Sequence, residues 1–534
     1  MLNLIVLKSI HLCEGGNHMR RSIAIAIFLI IGLVNISYSM DWYVDNQANG
    51  VNNGTSWINA WENFSSINWA TIQPGDSVYI SGGESSQLYN EQLSIGASGT
   101  AGSPITIRVG QDGGHNGQVI ITHTSYGINI SGKSYITING NYGGNKNIYV
   151  YDCGSDGIQV VGSTVNNIVL TYLEVGWNGN GGNEDGINID VSSFSYPIIE
   201  ISHCSIHDNY QDQIYSNRPD HGIRATDYGV MIVHHNDIYN LGDDGFQAAS
   251  DGIDFYENTV HGRSIGGGRG HADGVQFIGG SYTRIYNNTF YDMAHGANDS
   301  NAYIFFDPYR ADGISSSNRG VSNVEIYNNL VYETGKAASN EYLRGIAFKA
   351  ENNINSISNI LIANNIIVGT PAWGLMINLN RLRPDNFRVL NNILYDCSDD
   401  TGGDMLFINS GPFTTGSAGS GADLIIDYNH VGANAPGTTT DVNFEGVVRS
   451  YTSFKSMSGC QANDQTGNPN LDGNFKPNVG SSAIDAGISL SSYFTIDMEG
   501  TPRPQGFTWD IGAFEFTGGK LVQVPNAPSG LRIK

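Results

Sequence analysis

The chain has 534 residues, with 68 glycines, 15 prolines and only 14% charged residues, against about 25% in ordinary soluble domains. Its 40% hydrophobic and 10% aromatic content permits a packed core and argues against disorder; aperiodic glycine excludes collagen, and a Gly, Asn, Ile and Ser bias excludes long helical bundles. Lys and Arg total 26 against 50 Asp and Glu, a net charge of −24, and without a concentrated basic patch such a chain repels a nucleic-acid backbone.

In chain order, the first feature is an export signal. Met19-Arg20-Arg21 precedes an apolar run from Ile23 to Val34 and then Asn35-Ile36-Ser37-Tyr38-Ser39, which are a basic region, an apolar core and a small-x-small cleavage site after Ser39. The run is too short for a membrane-spanning helix. Glu14-Gly15-Gly16 can be encoded by a purine-rich ribosome-binding stretch, so Met19 is read as the true start and the source as bacterial. Residues 1–39 are thus leader and signal peptide, and the mature protein is expected to be secreted, cell-surface or periplasmic, without a transmembrane segment. Removing Lys8, Arg20, Arg21 and Glu14 leaves 23 basic against 49 acidic residues, or −26. Residues 40–75 carry Trp42, Trp57, Trp61 and Trp69 and suit an N-terminal cap.

Residues 76–440 repeat. One marker is an apolar pair, an Asn turn and a second apolar pair, as in Ile285-Tyr286-Asn287-Asn288-Thr289-Phe290-Tyr291. Its marker asparagines are 236, 258, 288, 329, 365 and 392, spaced 22, 30, 41, 36 and 27 apart. A second marker sets Gly before alternating apolar residues: Asp156-Gly157-Ile158, Asp185-Gly186-Ile187, His221-Gly222-Ile223, Asp244-Gly245-Phe246, Asp273-Gly274-Val275, Arg344-Gly345-Ile346 and Trp373-Gly374-Leu375. Short alternating strands in a unit of drifting length indicate one solenoid coil per repeat. Each marker Asn is expected in a left-handed turn, its amide bonded to the Asn of the next coil. Residues 441–516 read as a C-terminal closing segment in which Arg503 and Asp510 form a structural ion pair, and 517–534 as a tail. Cys153, Cys204, Cys397 and Cys460 lack C-x-x-C spacing and read as buried free thiols, with one disulfide left open. Cys153 and Cys397 both end a Tyr-Asp-Cys triplet, which places them at equivalent repeat positions.

This pattern resembles the right-handed parallel β-helix superfamily that includes pectate lyases and other secreted bacterial polysaccharide-acting proteins. The resemblance covers about residues 75–440 and implies an all-β solenoid of roughly ten coils; it is specific for the fold and not for a reaction.

Alternation along the Gly-marked strands sets an outward column of Gln159, Asn188, Arg224, Gln247, Gln276, Phe305, Ala347 and Met376, and a second of Asp190, Thr226, Asp307 and Lys349. A polar cluster is expected over three coils: His221 and Arg224, then Asp243, Asp244 and Gln247, then His271, Asp273 and Gln276. His271, His221, Arg224 and Asp273 are the catalytic candidates. Gln247, Gln276, Arg269, Asp307, Tyr309, Arg310, Arg344 and Lys349 are the substrate-binding candidates. Stacked carboxylates repel unless a cation joins them, so Asp243, Asp244 and Asp273 suit Ca²⁺; the alternative is that each Asp only caps backbone at its turn. Asp243-Asp244-Gly245-Phe246-Gln247 resembles the Asp-Asp-Gly-x-Asp calcium cluster of one pectate lyase family, with Gln247 in place of a carboxylate and no counterpart of its lysine base. Asp307-Pro308-Tyr309 resembles the Asp-Pro-His core of mannuronan C5-epimerases, with Tyr309 in place of histidine.

Those families share removal of the C5 proton beside a uronate carboxylate, which needs a base near neutral pH and cations for the developing charge. The leading expectation is therefore a lyase acting on an anionic polysaccharide. A glycoside hydrolase using Asp243 or Asp244 with Asp273, a C5-epimerase, and a non-catalytic glycan-binding solenoid stay open.

Overall fold

The computed structural model describes residues 39–179, 184–191, 198–217, 230–263, 272–293, 301–306, 321–335, 343–349, 356–379, 382–397, 406–409, 414–433 and 441–518. Each coil contributes one short strand to each of three long sheets, of 14, 13 and 13 strands. One coil runs Ile253–Tyr256 in sheet 1, Thr259–Arg263 in sheet 2 and Val275–Phe277 in sheet 3. Strands of successive coils pair in parallel and in register, and period-2 alternation sends every second side chain into the lumen. Like residues therefore stack: Val233, Phe255, Ile285, Ile326, Ile362 and Val389 form one buried sheet-1 column. In sheet 3, Phe277, Phe306 and Phe348 stack with centroids 4.7 and 4.6 Å apart. The protein is a parallel β-helix.

The turn from sheet 1 to sheet 2 holds the marker asparagines in one buried ladder. Asn236 accepts at Oδ1 from the backbone N–H of Cys204, and Asn258, Asn288, Asn329, Asn365, Asn392 and Asn429 each serve the preceding asparagine, at 2.9–3.1 Å. The ladder expected from the spacing is present and runs on to Asp464. The left-handed residue, however, is the one before each ladder Asn: His235, Glu257, Asn287, Asn328, Asn364 and Asn391 have φ of 53–57°. The bend is made there, which leaves the ladder amide in a conformation that points it along the helix axis.

More coils are present than the roughly ten expected, because segments without either marker also supply strands: Asp41–Val44 opens sheet 1 and Gln465–Thr466 closes sheet 2. Trp42, Trp61 and Phe64 join the core at the N-terminal end, with Trp42 stacked on Trp61 at 5.3 Å. The other end is closed by an antiparallel pair, Asp441–Phe444 with Val447–Ser450, and by a helix, Tyr451–Ser458. Ser450 caps the helix N-terminus through its side chain, Gly459 ends it at φ 66°, and Tyr451 and Phe454 enter the core. Among the described residues no helix is long and apolar enough to cross a membrane. Cys153, Cys204, Cys397 and Cys460 are buried free thiols, and Tyr151 and Tyr395 share one sheet-2 column, which makes their Tyr-Asp-Cys triplets equivalent.

The segment from 467 to 516 does not sit over the end of the coils. It lies along their side, where Asn328, Asn364 and Asn391 donate to the carbonyls of Ile496, Asp510 and Ile488. Arg503 pairs with Glu515 at 2.8 Å, both side chains fully buried, and donates to Asn328 Oδ1 and to the backbone carbonyls of Gly512 and Asp510. The Asp510 carboxylate instead accepts from the N–H groups of Asp485 and Phe516. Glu515→Ala strands the Arg503 charge in the interior, so a loss of about 3–5 kcal/mol is expected, read as earlier proteolysis of this segment.

Candidate functional site on the third sheet

The turn into sheet 3 carries the acidic marker. Asp156, Asp185, Asp244 and Asp273 occupy one column, as the repeat predicts, but the coil between Asp185 and Asp244 is not set by His221-Gly222-Ile223. Its strand is Ile214–Asn217, paired to Ile187–Asp190 on one side and Phe246–Ala248 on the other, and its turn residue is Asp212. Tyr215 therefore stands where Arg224 was expected, and Asn217 where Thr226 was expected. The glycine marker is missing from this coil because Gln213 fills the Gly position. That glycine is needed elsewhere for close approach of coils: a Cβ at Gly245 would lie 2.5 Å from the carbonyl oxygen of Gly274, and one at Gly274 2.4 Å from that of Tyr303. His221, Arg224, Arg269, His271, Asp307, Tyr309 and Arg310 lie outside the described residues.

The five aspartates form a second ladder. Oδ1 of Asp156, Asp185, Asp212 and Asp244 accepts from the backbone N–H of the next aspartate at 2.9, 3.2, 3.1 and 2.8 Å, and Asp273 from Ala302 at 2.6 Å. Each thus caps the following coil rather than its own turn. All five are buried. Burial raises the Asp156 carboxyl; burial and then the neighbouring carboxylates push Asp185 up to about 8 and hold Asp212 and Asp244 well above the usual carboxylate range. At neutral pH Asp185 therefore holds its proton. Among the described residues the Asp212 Oδ2 is buried without a hydrogen-bond partner.

Stability follows with a definite sign. Asp156, Asp185, Asp212 and Asp244 titrate higher folded than unfolded, so their stabilisation is complete below pH ~4 and, for Asp185, is lost as pH rises through about 8. The melting temperature should fall between pH 5 and 8.5, read by calorimetry at constant ionic strength.

The outward column beside the ladder is half-buried at Gln159, Asn188 and Tyr215 and buried from Gln247 to Met376. Asn188 donates to Asp156 Oδ2 at 2.9 Å, and Gln247 to Asp244 Oδ2 at 2.8 Å and Gln276 Oε1 at 3.0 Å. Beyond Asp273 the column turns apolar, through Phe305, Ala347 and Met376, with Trp373 and Phe407 packed against them. Arg344 follows Ala302 in the ladder's own column, and its guanidinium lies 4.9 Å over the Trp373 ring. Burial lowers the Arg344 pKa to about 10 against the pull of Asp273, which leaves it a cation at neutral pH. One face thus carries buried acids, amides, an aromatic platform and a buried cation. Lys349 lies in the second column three coils from Gln247, about 14 Å along the stack, as its position in the repeat implies.

The donor set does not make a calcium cage of Asp243, Asp244 and Asp273. Both oxygens of Asp244 are engaged, by the Asp273 N–H and by Gln247. Among the described residues, the His, Cys, Asp and Glu side chains that bring three ligating atoms within 4.8 Å of one another are His203, His234 and His235. No reaction step is derived through a cation at the aspartates.

A polar cleft of about 680 Å³ that the repeat did not signal lies over sheet 2, lined by Glu84, Lys146, Tyr149 and Glu174 among others. Its one sequence cue is the inserted turn Asn141-Tyr142-Gly143-Gly144-Asn145-Lys146. Burial pushes Tyr149 up to about 12, with Glu174 adding to it. For Glu174 the effect of burial is outweighed by hydrogen bonds from His207 and Tyr149, which hold it below its usual range.

No family model matches the chain and no curated protein matches it. Solved structures similar to it include pectate lyase Pel9A, 15% identical over 90% of this chain and 97% of that one, with a TM-score of 0.44. Lacto-N-biosidase GH136 from Eubacterium ramulus is 12% identical over 83% and 69%, with 0.48. Alginate lyase from Paenibacillus sp. str. FPU-7 is 17% identical over 55% and 93%, with 0.38. These similarities concern the coil architecture, which strand pairing already establishes.

Proposed function

We propose that this protein is an exported polysaccharide-active enzyme that lays its glycan along the outer face of sheet 3, over the aspartate ladder and Arg344. The observation that carries the reading is a comparison of two corners of the same coil. At one corner asparagines supply the acceptor that each next coil needs, with no charge. At the other the same backbone requirement is met by five buried acids, although an amide oxygen would serve and would avoid the desolvation. Titratable groups displaced this far, on one face with a cation and an aromatic platform, mark a catalytic surface.

The reaction we assign is β-elimination on a uronic-acid-containing polysaccharide. Arg344 pairs with the substrate carboxylate, and neutral Asp185 and Asp212 donate hydrogen bonds to the charge that develops on it. A base takes the C5 proton, the C4–O bond breaks, a C4=C5 double bond forms, and the leaving oxygen gains a proton. His271, His221 and Arg224 remain the proposed bases, Tyr309 the proposed proton donor, and Arg269, Asp307 and Arg310 proposed substrate contacts. The raised Asp185 carboxyl and the Arg344 cation also ease the conflict between an anionic substrate and a chain of net charge −24.

A hydrolase reading has one observation in its favour, the rung spacing. Neighbouring carboxyls lie about 4.8 Å apart and alternate ones about 10 Å, close to the separations of retaining and inverting pairs. The test incubates the protein with polyuronates and neutral glycans and follows near-ultraviolet absorbance of an unsaturated product together with new reducing ends. Both signals on a polyuronate, lost in Arg344→Met and kept in Glu174→Gln, support the lyase. Reducing ends alone select hydrolysis, and C5 proton exchange without cleavage selects epimerisation. Activity lost in Glu174→Gln and kept in Arg344→Met moves the site to the sheet-2 cleft.

A further inference from the structure

We infer that His203, His234 and His235 form a binding site for one divalent transition-metal ion, at the turn between sheets 1 and 2 and apart from the aspartate ladder. The backbone brings them together. His203 and His235 hold the same left-handed position on successive coils, with φ of 54° and 55°, and His234 ends the strand Met231–His234. A left-handed residue interrupts strand alternation, so the adjacent His234 and His235 face the same side of the coil. The ligating atoms of the three rings lie within 4.8 Å of one another.

The far nitrogens are already fixed. His235 Nε2 lies 2.7 Å from Glu257 Oε2, and His234 Nε2 lies 3.3 Å from Glu200 Oε1. A carboxylate only accepts, so both Nε2 atoms carry protons. The two Nδ1 atoms then meet 2.8 Å apart, lone pair toward lone pair when both rings are neutral, an arrangement that a cation between them stabilises. This is the carboxylate–histidine–metal arrangement, in which the second nitrogen orients the ligating one. The rings are held from behind as well: His203 stacks on Tyr172 at 4.8 Å and His234 on Tyr256 at 4.9 Å.

Three imidazoles without a thiolate favour Zn²⁺, Cu²⁺ or Ni²⁺ over Ca²⁺ or Mg²⁺, and leave a fourth position for water or a ligand. Tetrahedral Zn–N bonds place two nitrogens about 3.3 Å apart, so the His234–His235 contact opens by about half an ångström on binding, within the reach of side-chain rotation.

The test is calorimetric titration of the untagged, metal-stripped full chain with Zn²⁺. One ion per chain with a micromolar or tighter Kd is expected. His203→Asn and His235→Asn keep the fold, because asparagine holds the same left-handed position at Asn287 and Asn328. Each should weaken binding at least about 100-fold. Glu257→Gln should weaken it about 10-fold, and His261→Ala should leave it unchanged. No saturable binding, or a Kd that both asparagine variants leave intact, overturns the site.

Discussion

Asp212→Asn should melt at or above the temperature of the unaltered protein at pH 8 while losing at least about 100-fold in turnover, the usual scale for removing a proton donor or acceptor from a reacting centre. The structural half of this expectation rests on Oδ1 alone. The Asp244 N–H needs an acceptor at 3.1 Å, and the asparagine amide supplies one, as it does at the opposite corner of the coil. The carboxyl that disappears is one that burial and the charges of Asp244 and Asp185 hold well above its ordinary range. Its removal relieves Asp185 and Asp244 and flattens the fall of stability between pH 5 and 8. The functional half rests on Oδ2, which is buried and without a hydrogen-bond partner among the described residues. Calorimetry and a turnover assay on the same preparation check both halves. Full activity in a stable Asp212→Asn would make the ladder a capping device and nothing more.

Asn329→Ala should destabilise the middle of the solenoid by about 3–5 kcal/mol, since each buried polar group left without a partner costs about 1–3 kcal/mol. Asn329 Oδ1 accepts from both the backbone N–H and Nδ2 of Asn288, and its own Nδ2 donates to Ile285, Tyr327 and Asn365. Coils contact only their neighbours, so the loss is local; hydrogen exchange should quicken at Asn288 and Asn329 before it changes at the ends of the solenoid. Asn329→Asp separates the acceptor from the donor role. It keeps the oxygen, loses the amide protons and buries a carboxyl, so it should be tolerated at pH 5 and fail progressively above pH 7. The same substitution in opposite directions at the two corners is expected to move stability with opposite dependence on pH.

The asparagine ladder was legible because it needs one residue type at a place where an apolar pair ends and another begins, and the intervals between marker asparagines are the intervals between hydrogen-bonded partners. The residue that makes the bend was misread by one position, since Asn287-Asn288 and its kin offer two asparagines and only φ tells them apart. Asp212 is not marked in the sequence because its coil carries Gln213 where the other four aspartate coils carry glycine. The C-terminal segment was expected to close the coils, whereas residues 467–516 lie along their side, a placement that depends on outward amides at Asn328, Asn364 and Asn391 that no local pattern distinguishes. The same holds for His203, His234 and His235, which read as turn residues of the repeat until the coils are stacked.

The central claim is that Asp185 and Asp212 are neutral acids at the pH where the protein works. Infrared difference spectroscopy between the unaltered protein and Asp212→Asn at pH 7 reads this in the carbonyl-stretch region of protonated carboxyls. A protonated-carboxyl band present in the unaltered chain, reduced in the variant and lost only as pH passes about 8, is the result expected from the Asp185 and Asp212 environments. A spectrum with carboxylate bands alone at pH 6 would contradict it, leaving five ionised groups whose charge some bound cation must balance.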